Sequence, residues 1–173
     1  MSSQKASGGP EPVDADLFRR VCSRFATGVT IVTTSSPDDH PRGLTVNSFT
    51  SVSLDPPLVL VSIDTRNHIV SRFPEGAPFA INVLSEDQEE LSRRFAASLE
   101  DRFEGVSWRK GIGGEPVIDG AIACFECTVE RAVEAGDHTI LIAGVKNVRL
   151  ADGEPLVFFD SAYRRLGSQP SNE

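Results

Sequence analysis

The sequence predicts a mainly β chain, an antiparallel barrel with flanking helices rather than a doubly wound α/β sheet. Three observations carry this. Six or seven apolar or β-branched runs recur along the 173 residues, most of them separated by tight turns bearing Pro, Asp or Gly. Only two longer segments show helical spacing, too few to alternate with the strands. No G-x-G-x-x-G follows a strand and no G-x-x-x-x-G-K-[ST] occurs, so the glycine-rich nucleotide sites of α/β folds are absent.

Composition narrows the function classes. A hydrophobic content of 39% and a charged content of 24% are those of a single soluble domain, and a chain of this length buries about 70% of its unfolded surface without staples. The net charge of −8 opposes broad contact with nucleic acid or an anionic membrane. Any polyanionic ligand therefore needs a local basic or amide-rich pocket. The N-terminus has no apolar h-region and no apolar run reaches membrane-spanning length, so a cytoplasmic chain is expected. Cys22, Cys124 and Cys127 are odd in number, which fits a reducing compartment. Cys124 and Cys127 point to opposite faces of an alternating strand, awkward for a disulfide, and no His stands near them at zinc spacing, so no metal site is expected.

Residues 1–14, rich in Ser, Gly, Pro and acid, read as a disordered leader, 15–167 as the domain, and 168–173 as a short polar tail. DADLFRRVCSRFATG places Leu17, Val21 and Phe25 at i, i+4 and i+8 behind an Asp14 or Asp16 cap, which predicts a helix with one buried face. GVTIVTTSS and LTVNSFTSVS, joined by PDDHPRG, read as a hairpin. DPP closes that strand, and LVLVSID follows as a strand covered on both faces. TRNHIVSRF predicts a short helix and FAINVL a strand. SEDQEELSRRFAASL opens with a Ser85/Gln88 capping box, carries acids in its first turn and Arg93 and Arg94 further on, and turns Leu91 and Phe95 inward. Residues 100–120 read as a glycine-rich loop. AIACFECTVERAV alternates, with Phe125, Cys127 and Val129 on one face and Glu126, Thr128 and Glu130 on the other. TILIAGVKNVRL and PLVFFD complete the strands.

Chemistry-bearing motifs are sparse. With no G-x-S-x-G and no H-E-x-x-H, hydrolase and metalloprotease chemistry find no support. His40 lies in a turn and is expected to be inert. His68 follows Thr65, Arg66 and Asn67 beyond a buried strand, and His138 sits in the G-D-H turn between two long ones. Residues 45–53 hold five hydroxyls (Thr45, Ser48, Thr50, Ser51, Ser53) and the Asn47 amide. Such a run, with SIDTRNH at 62–68, suits either a barrel rim around a phosphorylated planar cofactor or ordinary cross-strand pairing, and residue types leave both open.

At this point the sequence resembles the flavin reductase-like proteins of the FMN-binding split-barrel fold, in particular the short reductase components of two-component flavin monooxygenases. The resemblance rests on FATGVTIVTT (25–34), GLTVNSFTSVSLDPPLVLVSI (43–63), FAINVLSEDQEELSRRFA (79–96), DRFEG (101–105), GDHTILIAGVKNV (136–148) and PLVFFDSAYRRL (155–166), in order. It implies a homodimer of antiparallel split β-barrels that uses NADH or NADPH to reduce FMN or FAD, and a partner monooxygenase fed by diffusible reduced flavin. By position it implies that Thr45, Val46, Asn47 and Ser48 contact the flavin. It places Ser62, Thr65, Arg66 and Asn67 along its phosphate, has Arg94 and Phe95 reach it from the capped helix, sets His138 beside the nicotinamide, and closes Tyr163 over the site. Two alternatives remain within this resemblance: a flavoprotein that keeps its flavin, and a non-catalytic flavin- or haem-binding barrel.

Overall fold

A computed structural model describes residues 11–35, 40–99 and 101–167. The first ten residues of the expected leader and all of the expected tail lie outside them. Helix α1 (Ala15–Cys22) starts at Asp14, whose carboxylate accepts the Leu17 amide at 2.7 Å. Strands β1 (Thr27–Gly28), β2 (Thr30–Ser35), β3 (Pro41–Val46), β4 (Thr50–Leu54) and β5 (Pro57–Asp64) follow, then a 3₁₀ turn at His68–Arg72 and β6 (Pro78–Val83). The capping box at Ser85 forms as expected and leads into α2 (Glu89–Ala96). Strands β7 (Trp108–Lys110), β8 (Pro116–Ile118), β9 (Ala123–Ala135), β10 (His138–Leu150), β11 (Val157–Phe159) and β12 (Ala162–Arg164) complete the order.

Seven strands form one antiparallel sheet in the order β3-β2-β6-β9-β10-β5-β4. Its outer strands, β3 and β4, are separated in sequence by residues 47–49 alone. Laid flat, seven strands about 4.8 Å apart would hold them about 29 Å from each other. The link from Val46 to Thr50 spans at most about 14 Å. The sheet therefore rolls until its edges nearly meet, giving an antiparallel barrel with an open seam at 47–49. Bulges between Ile142 and Ala143 and between Val145 and Asn147 help the long β9–β10 hairpin bend round it.

One apolar cluster fills the barrel, with Val32, Val61, Ile63, Phe79, Ile81 and Leu141 at its centre. A second, built on Ile31, Leu84, Phe95, Phe103 and Leu156, seats α2 against the outside. Gly43 permits this seating, because a Cβ there would lie 2.8 Å from the Phe95 ring and 3.0 Å from the Val32 carbonyl. At the seam, Ser48 Oγ donates to the Ser62 carbonyl at 2.8 Å and accepts the Ser62 amide at 3.0 Å. A side chain thus continues the β4–β5 register, Thr50 opposite Leu60, by one further pair.

The structure corrects four expectations. LTVNSFTSVS is not one strand: it breaks at 47–49 and its halves pair at opposite edges of the sheet, β3 with β2 and β4 with β5. Residues 100–120 are not all loop, since β7 and β8 pair around the GIGGE turn. The apolar stripe of α1 is not buried among the described residues: Leu17, Val21 and Phe25 are 54%, 63% and 78% exposed. Glu126, expected on the polar face of β9, is fully buried beneath the GIGGE turn. There it accepts the Ile112 amide at 2.7 Å, Asn147 at 2.8 Å and Arg149 at 2.9 Å. Burial works against its ionisation, yet these donors together hold the carboxyl below its ordinary range. Cys124 and Cys127 are buried free thiols, both pushed by burial up to about 12.

Glu115 shares that burial without the donors. It is 1% exposed and neither carboxyl oxygen finds a hydrogen-bond partner of good geometry. Burial, with repulsion from Glu126, raises its pKa. A carboxyl raised in the folded state favours folding at low pH and loses that contribution as pH climbs from about 4.5, the unfolded value, through the raised one. Glu115→Gln is therefore expected to raise Tm at pH 8 by a few degrees, at about 2–4 °C per kcal/mol for a chain of this size. The gain shrinks toward pH 5; a pH-independent gap contradicts the assignment. Ser48→Ala leaves the Ser62 amide and carbonyl without their partner and is expected to cost about 1 kcal/mol. Calorimetry of this variant should show a lowered Tm, and an unchanged one would remove Ser48 from the seam.

Candidate active site

A cleft of about 940 Å³ opens along the seam. Its floor is the end of β3 and the link, Thr45, Val46, Asn47 and Ser48, beside Ser62 and Asp64 at the end of β5. His138 and Ile140, at the start of β10, form one side with Asn67. Phe18 and Phe25 from α1 and the turn after it, with Phe158 of β11, supply aromatic walls.

Hydrogen bonding sorts these polar groups. Thr45 Oγ1 donates to the Ser92 carbonyl of α2 at 2.6 Å, so its hydroxyl can only accept from a ligand. Ser92 Oγ lies 2.8 Å from Tyr163 Oη, and the Arg93 guanidinium sits 4.6 Å over the Tyr163 ring. Tyr163 thereby braces the strand that carries Thr45. Ser48 is occupied by Ser62, as described. Asn67 Oδ1 accepts the Ile69 amide at 3.2 Å, capping the 3₁₀ turn and leaving Nδ2 to donate. The Asn47 carboxamide makes no side-chain hydrogen bond among the described residues, which leaves a donor and an acceptor at the seam.

Charge on the rim is internally paired. Arg66 Nε and Nη2 clamp the Asp64 carboxylate at 3.0 and 2.6 Å, and the Arg66 amide adds a bond at 2.9 Å. These bonds hold the Asp64 carboxyl far below the usual range. His138 Nδ1 lies 2.7 Å from Asp137 Oδ1, which lowers the Asp137 pKa. Asp137 so orients the ring and leaves Nε2 as the nitrogen without that partner. The Thr65 amide and hydroxyl both donate to the Asp137 carbonyl at 3.0 Å, fixing the turn that presents His138.

Of the residues expected at the site, Thr45, Val46, Asn47, Ser48, Ser62, Asn67 and His138 line this one cleft. Thr65 and Arg66 stand at its edge, exposed, with their polar atoms engaged as above. Arg94 opens instead onto a separate depression with Glu90 and Asp119, its Nη2 4.0 Å from Glu104. Phe95 is fully buried against Phe103 and serves the core. Tyr163 acts through Ser92. Sequence reasoning missed Phe18, Phe25 and Phe158. The spacing of the α1 apolar residues was their signal, and it pointed to a core that this helix does not enter. The aromatic walls, the free amide and the volume suit a flat ring system, since ligand pockets run to about 1,000 Å³.

Known proteins share this sequence and fold. The flavin reductase-like domain matches residues 22–167. An NADH-dependent flavin reductase of Rhodococcus sp. is 44% identical over 153 residues, 86% of this chain and 85% of that protein. The reductase component of a flavin-dependent trigonelline monooxygenase from Acinetobacter baylyi is 46% identical over 146 residues. That alignment takes in 84% of this chain but 47% of the relative, so the chain spans about half of that longer protein. Among solved structures, the NADH:FAD oxidoreductase SgcE6 of Streptomyces globisporus, in complex with NAD and FAD fragments, superposes with a TM-score of 0.84. It is 39% identical, over 94% of this chain and 99% of that one. A split barrel whose seam forms an aromatic-walled cleft, matched over this span, makes the chain a member of the flavin reductase-like family.

Proposed function

We propose that the chain is an NADH-dependent flavin reductase that releases reduced FMN or FAD to a separate monooxygenase. The observation that carries this is the seam cleft, which offers orienting groups and aromatic walls around a volume of ligand size. When bound there, FMN or FAD would supply the hydride-accepting ring and NADH the hydride. Everything else falls to the chain's own groups. Asn47, and the backbone of the link beside it, meet the flavin edge; Thr45 accepts from it. Phe18, Phe25 and Phe158 confine the ring faces and exclude water. His138, oriented by Asp137, positions the nicotinamide through Nε2. The gain is orientation, since two rings held in near contact convert an encounter into a unimolecular step.

We also propose a homodimer. The exposed Leu17 and Val21 of α1, which do not line the cleft, and the 97% and 90% exposed Leu54 and Leu150 support it, because apolar side chains so placed are covered in assemblies. Sedimentation is expected to show a dimer that Val21→Glu weakens; a monomeric wild type contradicts this.

The function is tested by following nicotinamide absorbance with NADH or NADPH paired with FMN or FAD. NADH oxidation with added flavin, by a chain that purifies largely colourless, is the expected result. No oxidation in any pairing overturns the reading, and stoichiometric flavin surviving gel filtration favours a retained cofactor. His138→Ala is expected to raise KM for NADH about tenfold, the loss of one ligand hydrogen bond, with flavin affinity unchanged. Unaltered reduction kinetics in stopped flow would remove His138 from the site.

A further inference from the structure

Asp64 is the sole carboxylate lining the seam cleft among the described residues. It stands directly opposite His138 in the β5–β10 pairing, and side chains opposed in an antiparallel pair share a face with Cβ atoms about 5 Å apart. Ser62 and Ile140, the next opposed pair on that face, line the cleft as well. The Asp64 side chain is 34% exposed and is fixed from the solvent side. Arg66 Nη2 donates to its Oδ2 at 2.6 Å, Arg66 Nε to Oδ1 at 3.0 Å, and the Arg66 amide to Oδ1 at 2.9 Å. These bonds hold the carboxyl in its ionised form. The guanidinium itself is 83% exposed, so water screens its charge more than that of the carboxylate beside the cleft. The other charged groups nearby are spent elsewhere. Asp137 does not line the cleft and is engaged by His138 Nδ1, and Arg19, at the cleft mouth, pairs with Asp16 at 2.8 Å.

A fixed negative charge at this point meets the charge change of the reaction. The dihydronicotinamide ring of NADH is neutral. Once its hydride, with the electron pair, has passed to the flavin, which takes up the negative charge, the ring of NAD+ is a pyridinium carrying one positive charge. Building on the reductase reading, in which His138 positions that ring, we propose that Asp64 is the counter-charge for the nicotinamide as it becomes cationic. A carboxylate set in place before the charge develops stabilises it without reorganisation, and so favours the transition state over the neutral ground state. Arg66 serves on the rim as the group that keeps Asp64 ionised and aimed.

The test compares two ligands that differ in ring charge. The full chain, loaded with FMN, is titrated calorimetrically with NAD+ and with tetrahydro-NADH, whose neutral ring gives up no hydride, for wild type, Asp64→Asn and Arg66→Gln. Asparagine keeps the shape of Asp64 and an oxygen for the Arg66 amide, so this variant is expected to keep its fold. In Asp64→Asn, NAD+ affinity should fall about fivefold, as for one partly exposed charge pair, while tetrahydro-NADH stays within about twofold. Arg66→Gln should move the ratio of the two affinities the other way, toward NAD+, because it removes the positive charge and leaves the carboxylate. Stopped-flow reduction of FMN by saturating NADH should slow in Asp64→Asn with KM for NADH little changed. Equal weakening of both ligands in Asp64→Asn would make Asp64 a structural contact and overturn the proposal. An unchanged ratio in Asp64→Asn, or a shift toward tetrahydro-NADH in Arg66→Gln, overturns it as well. Each of these results leaves the reductase reading standing, whereas a wild type that binds neither ligand and oxidises no NADH removes both.

Discussion

The three-residue link between β3 and β4 is the constraint on which the rest depends. Because the outer strands of a seven-stranded sheet are joined by residues 47–49, the sheet has to roll into a barrel, and because the link is not itself a strand, the barrel stays open there. Backbone at an open seam has hydrogen-bonding capacity not committed to a ladder. The fold thus places free polar groups at one point of a structure otherwise closed on itself. The ends of β5 and β10 meet the seam, and with them come Asn67 and His138. The candidate site is a by-product of closing the barrel imperfectly.

A division of labour among similar side chains follows. Ser48 spends its hydroxyl on Ser62 and Thr45 on Ser92, so both position the floor of the cleft. Asn47 between them keeps its carboxamide. Thr65 and Asp137 hold His138, and Arg66 locks Asp64, so one strand end carries two internal clamps beside one available imidazole. The GIGGE turn shows the same economy at a distance. Glu126 is stabilised as a carboxylate by three donors, whereas Glu115 beside it is buried without them and is held toward the neutral form.

Much of this was legible in the residues. The turn chemistry between β-branched runs gave the antiparallel barrel, the Ser85/Gln88 pair marked the start of the second helical segment, and the hydroxyl-rich run marked the floor of the cleft. What was not legible depended on partners distant in sequence. Nothing in LTVNSFTSVS signals that its halves belong to opposite sheet edges, since both halves favour strand and Asn47 is the sole interruption. Glu126 sits at a polar position of an alternating strand, and only the GIGGE turn folding over it turns that position inward. Arg94 and Phe95, expected at the site, face the outer side of α2 and the core because α2 packs over Gly43. The periodicity of α1 marks a helix, but no surface among the described residues covers Leu17 and Val21.

The central claim, that the seam is where flavin binds, is open to one direct measurement. Amide hydrogen exchange of the chain, with and without saturating FMN, is expected to show protection concentrated at residues 45–49 and 62–67. Saturating binding with no change at 45–49 would contradict the account.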